Sequence, residues 1–316
     1  MATATVIVRT FNELAHLPRL IQGLSAQTIT PAEIIVVDSG STDGTREYAA
    51  SVATKVVDIA PHEFSFGRAL NRGISAATSD VMVLASAHVY PLFDTWLDWI
   101  LQPFERDEVA LSYGRQVGDH RTKYSEARVL LKWFPETSSA SQDHDFCNNA
   151  NAAIRRSVWR ANPYDEGLTG LEDLAWAGAT RGQGWQISYV AEAQVVHVHE
   201  ESWISTVNRY RREAIAYRNI VGAKPVRLPD ALTLASRNIA SDLTHARRDG
   251  VLVGNVSEIF KFRSAQFYGA YQGSNDPLRP DKSLRERFYY PLPLARAGAR
   301  ASDPGRRIEY AKGTPE

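Results

Sequence analysis

Four short apolar runs govern what this chain can fold into: residues 5–9, 33–38, 55–59 and 81–86, rich in Val and Ile and nearly uninterrupted by polar residues. A continuous β-branched run of this length is the pattern of a strand covered on both faces. Between the runs, residues 13–26, 43–53 and 67–78 carry apolar residues at helical spacing. Strand-helix-strand alternation demands a mostly parallel sheet with right-handed crossovers, so the expected class is α/β with helices on both faces. Further strands are expected over 109–115 and 187–197, around a polar, irregular stretch at 117–151. From residue 203 the pattern is helical, at 204–220, 228–248 and 255–271, and a tail rich in Pro, Gly and Arg follows.

Several alternatives fall to composition. With 44% hydrophobic and 23% charged residues, the chain of 316 residues is neither disordered nor coiled-coil. Cys147 is the sole cysteine, which excludes an intrachain disulfide and a multi-cysteine zinc site; it reads as a small buried residue. No run approaches the roughly 20 apolar residues that span a bilayer, and no basic leader precedes the first apolar run. A cytoplasmic protein is expected. The neutral total hides an asymmetry: residues 1–202 hold 16 Lys and Arg against 25 Asp and Glu, and residues 203–316 hold 20 against 11. Such a split suggests two regions with different partners.

Ligands of parallel sheets bind beyond the carboxyl ends of the strands, where the chain turns into a helix. The first strand ends in Arg9-Thr10-Phe11-Asn12-Glu13 and the second in Asp38-Ser39-Gly40-Ser41-Thr42-Asp43-Gly44-Thr45. A carboxylate at a strand tip accepts hydrogen bonds from a base or ribose, and the small residues after it permit close backbone approach. The plainer reading is a well-capped βα turn. Neither a dinucleotide-binding G-x-G-x-x-G nor a P-loop follows these strands.

The pair Val-Ile-Val-Arg-Thr-Phe-Asn-Glu and Ile-Ile-Val-Val-Asp-Ser-Gly-Ser-Thr-Asp-Gly-Thr, in this order and separation, resembles the opening of a family 2 glycosyltransferase of GT-A fold. The segments Phe66–Gly73, 148–160 and 163–166 are similar to the bacterial rhamnosyltransferase-like subgroup. The resemblance spans about residues 3–215 and implies a GT-A-type, Rossmann-like mixed sheet with a helical C-terminal extension. It divides the chain into a catalytic domain at 1–202, an extension at 203–290 and a flexible tail at 291–316. The nucleotide-sugar half would cover about 1–115 and the acceptor half about 116–202. It further implies that Thr10, Phe11, Asn12 and Glu13 line the nucleoside pocket, that Asp38 contacts the base, and that Ser39, Ser41, Asp43 and Ser86 lie near the donor. Arg68 and Asn71 would face the base or diphosphate; a guanidinium suits phosphate oxygens with its forked donors.

The chain departs from the family at the metal site. Members carry an acidic D-x-D-like element at the tip of the fourth strand, whereas here the strand runs Val-Met-Val-Leu-Ala-Ser-Ala-His without a carboxylate. The subgroup pattern sets His88 in the position of the metal-binding Asp. A second element, His197-Val198-His199, puts both imidazoles on one strand face and resembles an H-x-H of the subgroup. One imidazole from each, with diphosphate oxygens and water, would hold Mn²⁺ better than Mg²⁺. The rival is a metal-independent enzyme in which His88 and Arg68 neutralise the diphosphate.

An inverting transfer needs a carboxylate beside the acceptor hydroxyl and a cation near the leaving group. Glu172-Asp173, after Gly170, resembles the family's E-D element at a helix start, with Asp173 the expected base and Glu172 its alternative or partner; acids at a helix start also simply suit the macrodipole. Asn148, Asn149, Asn151 and Trp176 are candidate sugar contacts. The helical region mixes cations and aromatics (Trp203, Arg209, Tyr210, Arg211, Arg212, Tyr217 and Arg218, then Phe260, Lys261, Phe262, Arg263, Phe267, Tyr268 and Tyr271) in a pattern that suits a lipid headgroup layer, a helical subdomain or a homodimer interface. Contact with the cytoplasmic face of the inner membrane would fit a polyprenyl-diphosphate-linked saccharide acceptor. No nucleic-acid reader module is present in the pattern. The donor would be dTDP-rhamnose or a UDP-hexose. Rival classes are a non-catalytic nucleotide-sugar-binding module and a nucleotidyltransferase, the latter lacking the carboxylates that phosphoryl transfer requires.

Overall fold

The computed structural model describes residues 4–198, 201–276 and 304–310. The four apolar runs form strands β1 (Ala4–Thr10), β2 (Glu33–Asp38), β3 (Lys55–Asp58) and β4 (Val81–Ser86). Helices α1 (Leu17–Ser25), α2 (Thr45–Val52) and α3 (Phe66–Ala76) connect them. After β4 come β5 (Val89–Pro91), α4 (Trp96–Leu101), β6 (Val109–Val117), α5 (Tyr124–Trp133), β7 (Asn151–Arg155), α6 (Arg156–Ala161), α7 (Glu172–Gly182) and β8 (Gln186–His197). The sheet order is β3-β2-β1-β4-β7-β6-β8-β5. β7 runs against both β4 and β6, and β5 against β8; the remaining pairs are parallel. The expected mixed, mostly parallel sheet is thus present.

Strand alternation builds two cores. Ile7, Ile35 and Val37 face α3, with Leu70, Ile74, Leu130 and Trp176. Val6, Val8 and Val36 face the other side, with Leu17, Leu20, Ala49, Trp96 and Ile100. β6 kinks between Gly114 and Gln116, where the pairing with β8 shifts register. A Cβ at Gly114 would lie 2.1 Å from the Ala193 carbonyl oxygen, so only glycine admits this approach.

The stretch 117–151, expected as irregular, contains α5. Its buried positions include Ser125 and Glu126, and Glu126 accepts from Arg209 Nη2 at 2.7 Å. Its buried face mixes the core residue Leu130 with the polar, ion-paired Ser125 and Glu126, which weakens the apolar pattern in the sequence.

The extension is three helices, α8 (Trp203–Val221), α9 (Leu228–Arg248) and α10 (Leu252–Asn275). α8 and α10 pack closely, since a Cβ at Gly269 would sit 2.3 Å from the Val207 carbonyl oxygen and one at Gly273 2.1 Å from that of Arg211. Much of the aromatic and basic mixture read as membrane-facing is core instead: Tyr210, Tyr217, Arg218, Phe262, Arg263 and Phe267 are buried. Arg263 Nε bonds Asp242 Oδ2 at 2.7 Å inside the bundle. Trp203, Phe260, Lys261, Tyr268, Arg211 and Arg212 remain exposed.

Of the segment expected to be a loose tail, residues 304–310 lie along the β5 edge. Ile308 N donates to Leu92 O at 2.9 Å and Asp94 N to Arg306 O at 3.0 Å, while the Tyr310 hydroxyl donates to Pro91 O. Among the described residues no helix is long and apolar enough to cross a membrane.

Candidate active site

The carboxyl ends of β1 and β2 are laced together. Asp38 Oδ2 accepts from Gly40 N at 3.0 Å and Ser41 N at 2.9 Å, and its Oδ1 accepts from Thr10 Oγ1 at 3.1 Å and Ser41 Oγ at 2.5 Å. Asn12, at φ 55°, donates N–H to Ser41 Oγ at 2.9 Å and accepts from Thr42 N at 2.8 Å. Asp43 caps α2 through Thr45 N at 3.0 Å and accepts from Leu14 N at 3.1 Å. Asp38, expected to contact a base, is 1% exposed and its carboxylate is bonded within its own loop, with Thr10 and Ser39 also buried. It shapes the pocket, whose outward surface is Phe11, Asn12, Glu13 and Asp43.

His88 and His197 meet beside this loop. Their rings stack with centroids 5.1 Å apart and planes 18° from parallel. His88 Nδ1 bonds Glu13 Oε1 at 2.6 Å and His197 Nδ1 bonds Gln116 Oε1 at 2.5 Å. An oxygen acceptor on Nδ1 sets the tautomer that offers the Nε2 lone pair, the usual arrangement of a metal-ligating histidine. The two imidazoles are suited to contribute nitrogen donors to a divalent cation. Among the described residues no group of three or more His, Cys, Asp or Glu is disposed to hold a metal. His199 lies outside the described residues.

Glu172 and Asp173 open α7 and are both buried. Asp173 Oδ2 accepts from Asn149 N at 3.2 Å and Oδ1 from Leu174 N at 2.8 Å. Burial, reinforced by the neighbouring Glu172, pushes Asp173 up to about 7, against the opposing effect of these N–H groups and of Arg9. Glu172 Oε1 lies 3.6 Å from Arg9 Nη1 and accepts from Asn149 Nδ2 at 3.4 Å.

A short chain of contacts joins the imidazoles to the acids. Gln116, bonded to His197, donates Nε2–H to Asn148 Oδ1 at 3.0 Å, and the next residue, Asn149, holds Asp173. Strand tips β1, β2, β4, β6 and β8 and the start of β7 share one rim. His88 and His197 on one side and Glu172 and Asp173 on the other are thus linked through Gln116, Asn148 and Asn149.

Other expected contacts are used differently. Asn71 donates to Tyr164 O at 2.9 Å and Glu166 Oε1 at 3.0 Å, and accepts from Trp159 Nε1 and Tyr164 N. Arg68 Nε bonds Glu166 Oε2 at 2.7 Å and Nη1 bonds Glu63 O at 2.7 Å. Together they hold Glu166 below the usual carboxylate value and tie α3 to the 163–167 loop, rather than facing a diphosphate. Asn151 is fully buried, bonding Trp96 Nε1, Arg115 O and Ala193 O, and Trp176 is buried with Nε1 on Asn162 O. Both are core residues. Ser86, buried, pairs backbone N–H with Ala150 O at 3.4 Å. Sequence reasoning passed over Gln116, whose role arises only from the β6 kink, and Arg9 and Phe66, which the motifs contained without assigning them a place in the acid site.

This rim, with a hydrogen-bonded loop pair at β1–β2, an imidazole pair and a buried acid pair, is that of a GT-A-type glycosyltransferase. A sequence profile described as glycosyl transferase family 2 matches residues 5–161. The chain is 30% identical over 222 residues to the O-antigen chain rhamnosyltransferase WbaN of Salmonella anatum, covering 66% of this chain and 70% of that protein. It is 24% identical to the O-antigen chain rhamnosyltransferase RfbN of Salmonella typhimurium, covering 65% and 69%. Among solved structures, the mannosyltransferase PcManGT of Pyrobaculum calidifontis, in complex with GDP-Man and Mn²⁺, superposes with a TM-score of 0.58 at 18% identity, covering 86% of this chain and 85% of that one. The chain belongs to glycosyl transferase family 2.

Proposed function

We propose that the protein is an inverting glycosyltransferase of surface polysaccharide assembly, moving a rhamnose-type sugar from a nucleotide donor such as dTDP-rhamnose, or a hexose from UDP, to a saccharide or lipid-linked saccharide. The rhamnosyltransferase relatives support the sugar class. The observation that carries the mechanism is the buried Glu172–Asp173 pair, with Asp173 poised to titrate near neutrality.

In this reading the acceptor hydroxyl lies against Asp173. As its oxygen attacks the anomeric carbon, its proton passes to the Asp173 carboxylate; the bond from that carbon to phosphate oxygen breaks, and the nucleoside diphosphate departs with the electron pair. A base titrating near the working pH combines availability with driving force. Asn149 and Leu174 N–H groups orient Asp173, and Arg9 holds Glu172 so that the two acids do not compete for one position. His88 and His197, steadied by Glu13 and Gln116, would hold a divalent cation at the diphosphate. Bound there, the cation would stabilise the charge of the leaving group.

The extension suits a reaction at the cytoplasmic face of a membrane. Exposed Val251, Val253, Val256 and Phe260 at the α9–α10 turn are flanked by Arg247, Arg248 and Lys261, a surface that matches anionic lipid.

Incubation with dTDP-rhamnose and a panel of UDP-hexoses, with Mn²⁺ and candidate acceptors, tests the reading through release of nucleoside diphosphate and capture of product. Nucleotide binding without turnover on any acceptor would instead identify a binding module.

A further inference from the structure

Arg9 and Arg212 approach one aromatic ring from distant parts of the chain. The Arg9 Cζ lies 5.2 Å, and the Arg212 Cζ 4.7 Å, from the centroid of Phe66. Either guanidinium alone would be an ordinary cation–π contact. Two cations at one ring repel each other, and the structure offers unequal compensation. Arg9 has Glu172 at 3.6 Å, while its Nε and Nη1 are buried without a hydrogen-bond acceptor. Arg212 is exposed, and among the described residues no carboxylate lies within ion-pair distance of it. The next residue, Glu213, acts on it only at longer range.

The placement of Arg212 is specific. Its backbone carbonyl accepts from Thr169 Oγ1 at 3.3 Å, and a Cβ on Gly170 would meet its Nε at 3.6 Å. Helix α8 is therefore docked on the loop immediately before Glu172, and the guanidinium stands over Phe66 beside that loop. Arg9 follows Ile7 on the α3 side of the sheet, whereas Thr10 and Asp38 follow Val8 and Val36 on the other. The cation cluster is thus on the acid side of the rim and away from the donor loop.

We infer that Arg212, presented on Phe66 and backed by Arg9, binds a phosphate group beside the loop that leads into the acid pair, so that the helical extension forms part of the active site. A guanidinium set over a ring face is held in place while its forked donors remain available, and such donors suit phosphate oxygens. The inference rests on the glycosyltransferase reading and deepens it, because such a phosphate belongs either to the acceptor, as in a prenyl-diphosphate-linked saccharide, or to the donor diphosphate. Its position on the acid side favours the acceptor.

The test is calorimetric titration of wild type, Arg212→Gln and Arg212→Lys with dTDP and UDP in Mn²⁺, and separately with a short-chain prenyl diphosphate at saturating nucleotide. Arg212→Gln should weaken prenyl diphosphate binding about tenfold with nucleotide affinity unchanged, and Arg212→Lys should recover part of the loss. A loss confined to nucleotide affinity supports the phosphate site but assigns it to the donor. Equal affinities for both ligands in all three proteins would overturn the inference, since a merely structural Arg212 would alter melting temperature and not ligand selectivity. Transfer by the wild-type enzyme is recorded separately: transfer intact with no affinity change sinks only the phosphate site, and affinity changes without any transfer sink only the glycosyltransferase reading.

Discussion

His88 and His197 stack face to face at 5.1 Å although more than a hundred residues separate them in the chain, each held through Nδ1 by a separate oxygen acceptor. The stack brings the turn after β4 against the end of β8. In place of a D-x-D carboxylate, the rim presents two neutral donors with carboxylate and amide support behind them.

His88→Ala should weaken nucleoside diphosphate binding about 10- to 100-fold in the presence of Mn²⁺ and little in its absence. Glu13→Gln should weaken it in the same direction by less, because the ring remains but its orientation and basicity change. Titration calorimetry with and without Mn²⁺ checks both, and an equal loss in both conditions would mean the imidazole acts directly on the diphosphate.

Asp173→Asn should reduce transfer by about 10²- to 10⁴-fold while nucleoside diphosphate affinity stays within twofold. The wild-type rate should rise with pH through about 7 as Asp173 ionises, and the residual activity of Asp173→Asn should lose that rise.

The same titration has a stability consequence. A carboxyl whose folded value is raised favours folding most when protonated, so its contribution is present at low pH and is lost as pH rises through about 7. Asp173→Asn should therefore melt higher than wild type at pH 8, by about 2–4 °C, with the gap closing toward pH 4. Differential scanning calorimetry across pH measures it; a gap independent of pH would place the ionisation elsewhere.

Asn71→Ala should cost about 1–3 kcal/mol of stability, because it strands the buried Trp159 N–H and the Tyr164 backbone groups. Its donor KM should not move if the amide serves only the fold. Denaturant unfolding and steady-state kinetics on one preparation separate the two.

Val253→Asp with Phe260→Asp should release the protein from anionic vesicles, and Arg247→Ala with Arg248→Ala should weaken binding about tenfold or more at low salt. Cosedimentation with vesicles of phosphatidylglycerol and phosphatidylcholine reads both. Wild type remaining wholly in the supernatant would remove the membrane-facing surface from the proposal.

Much of this protein could be read along the chain. The β-branched runs determined β1 to β4 and their parallel order, because a strand covered on both faces leaves an unbroken apolar signal and helical crossovers admit one handedness. Asp38 could be picked out at a strand tip, and His88, His197, Glu172 and Asp173 from the resemblance to the family's motifs. What tertiary structure alone decided is which of the named side chains face solvent. Asn151 and Trp176 look like sugar contacts in sequence, yet β7 inserts between β4 and β6 and buries Asn151 beneath Trp96, while Trp176 turns into the core beside Tyr164. Arg68 and Asn71 look like phosphate readers until the 163–167 loop folds across α3. Gln116 reaches His197 only because β6 shifts register at Gly114, and Arg212 reaches Phe66 only because α8 docks on the loop at Thr169. Periodicity records which residues leave water; it carries no record of which distant polar group meets each one, since that choice is made by packing after the elements have formed.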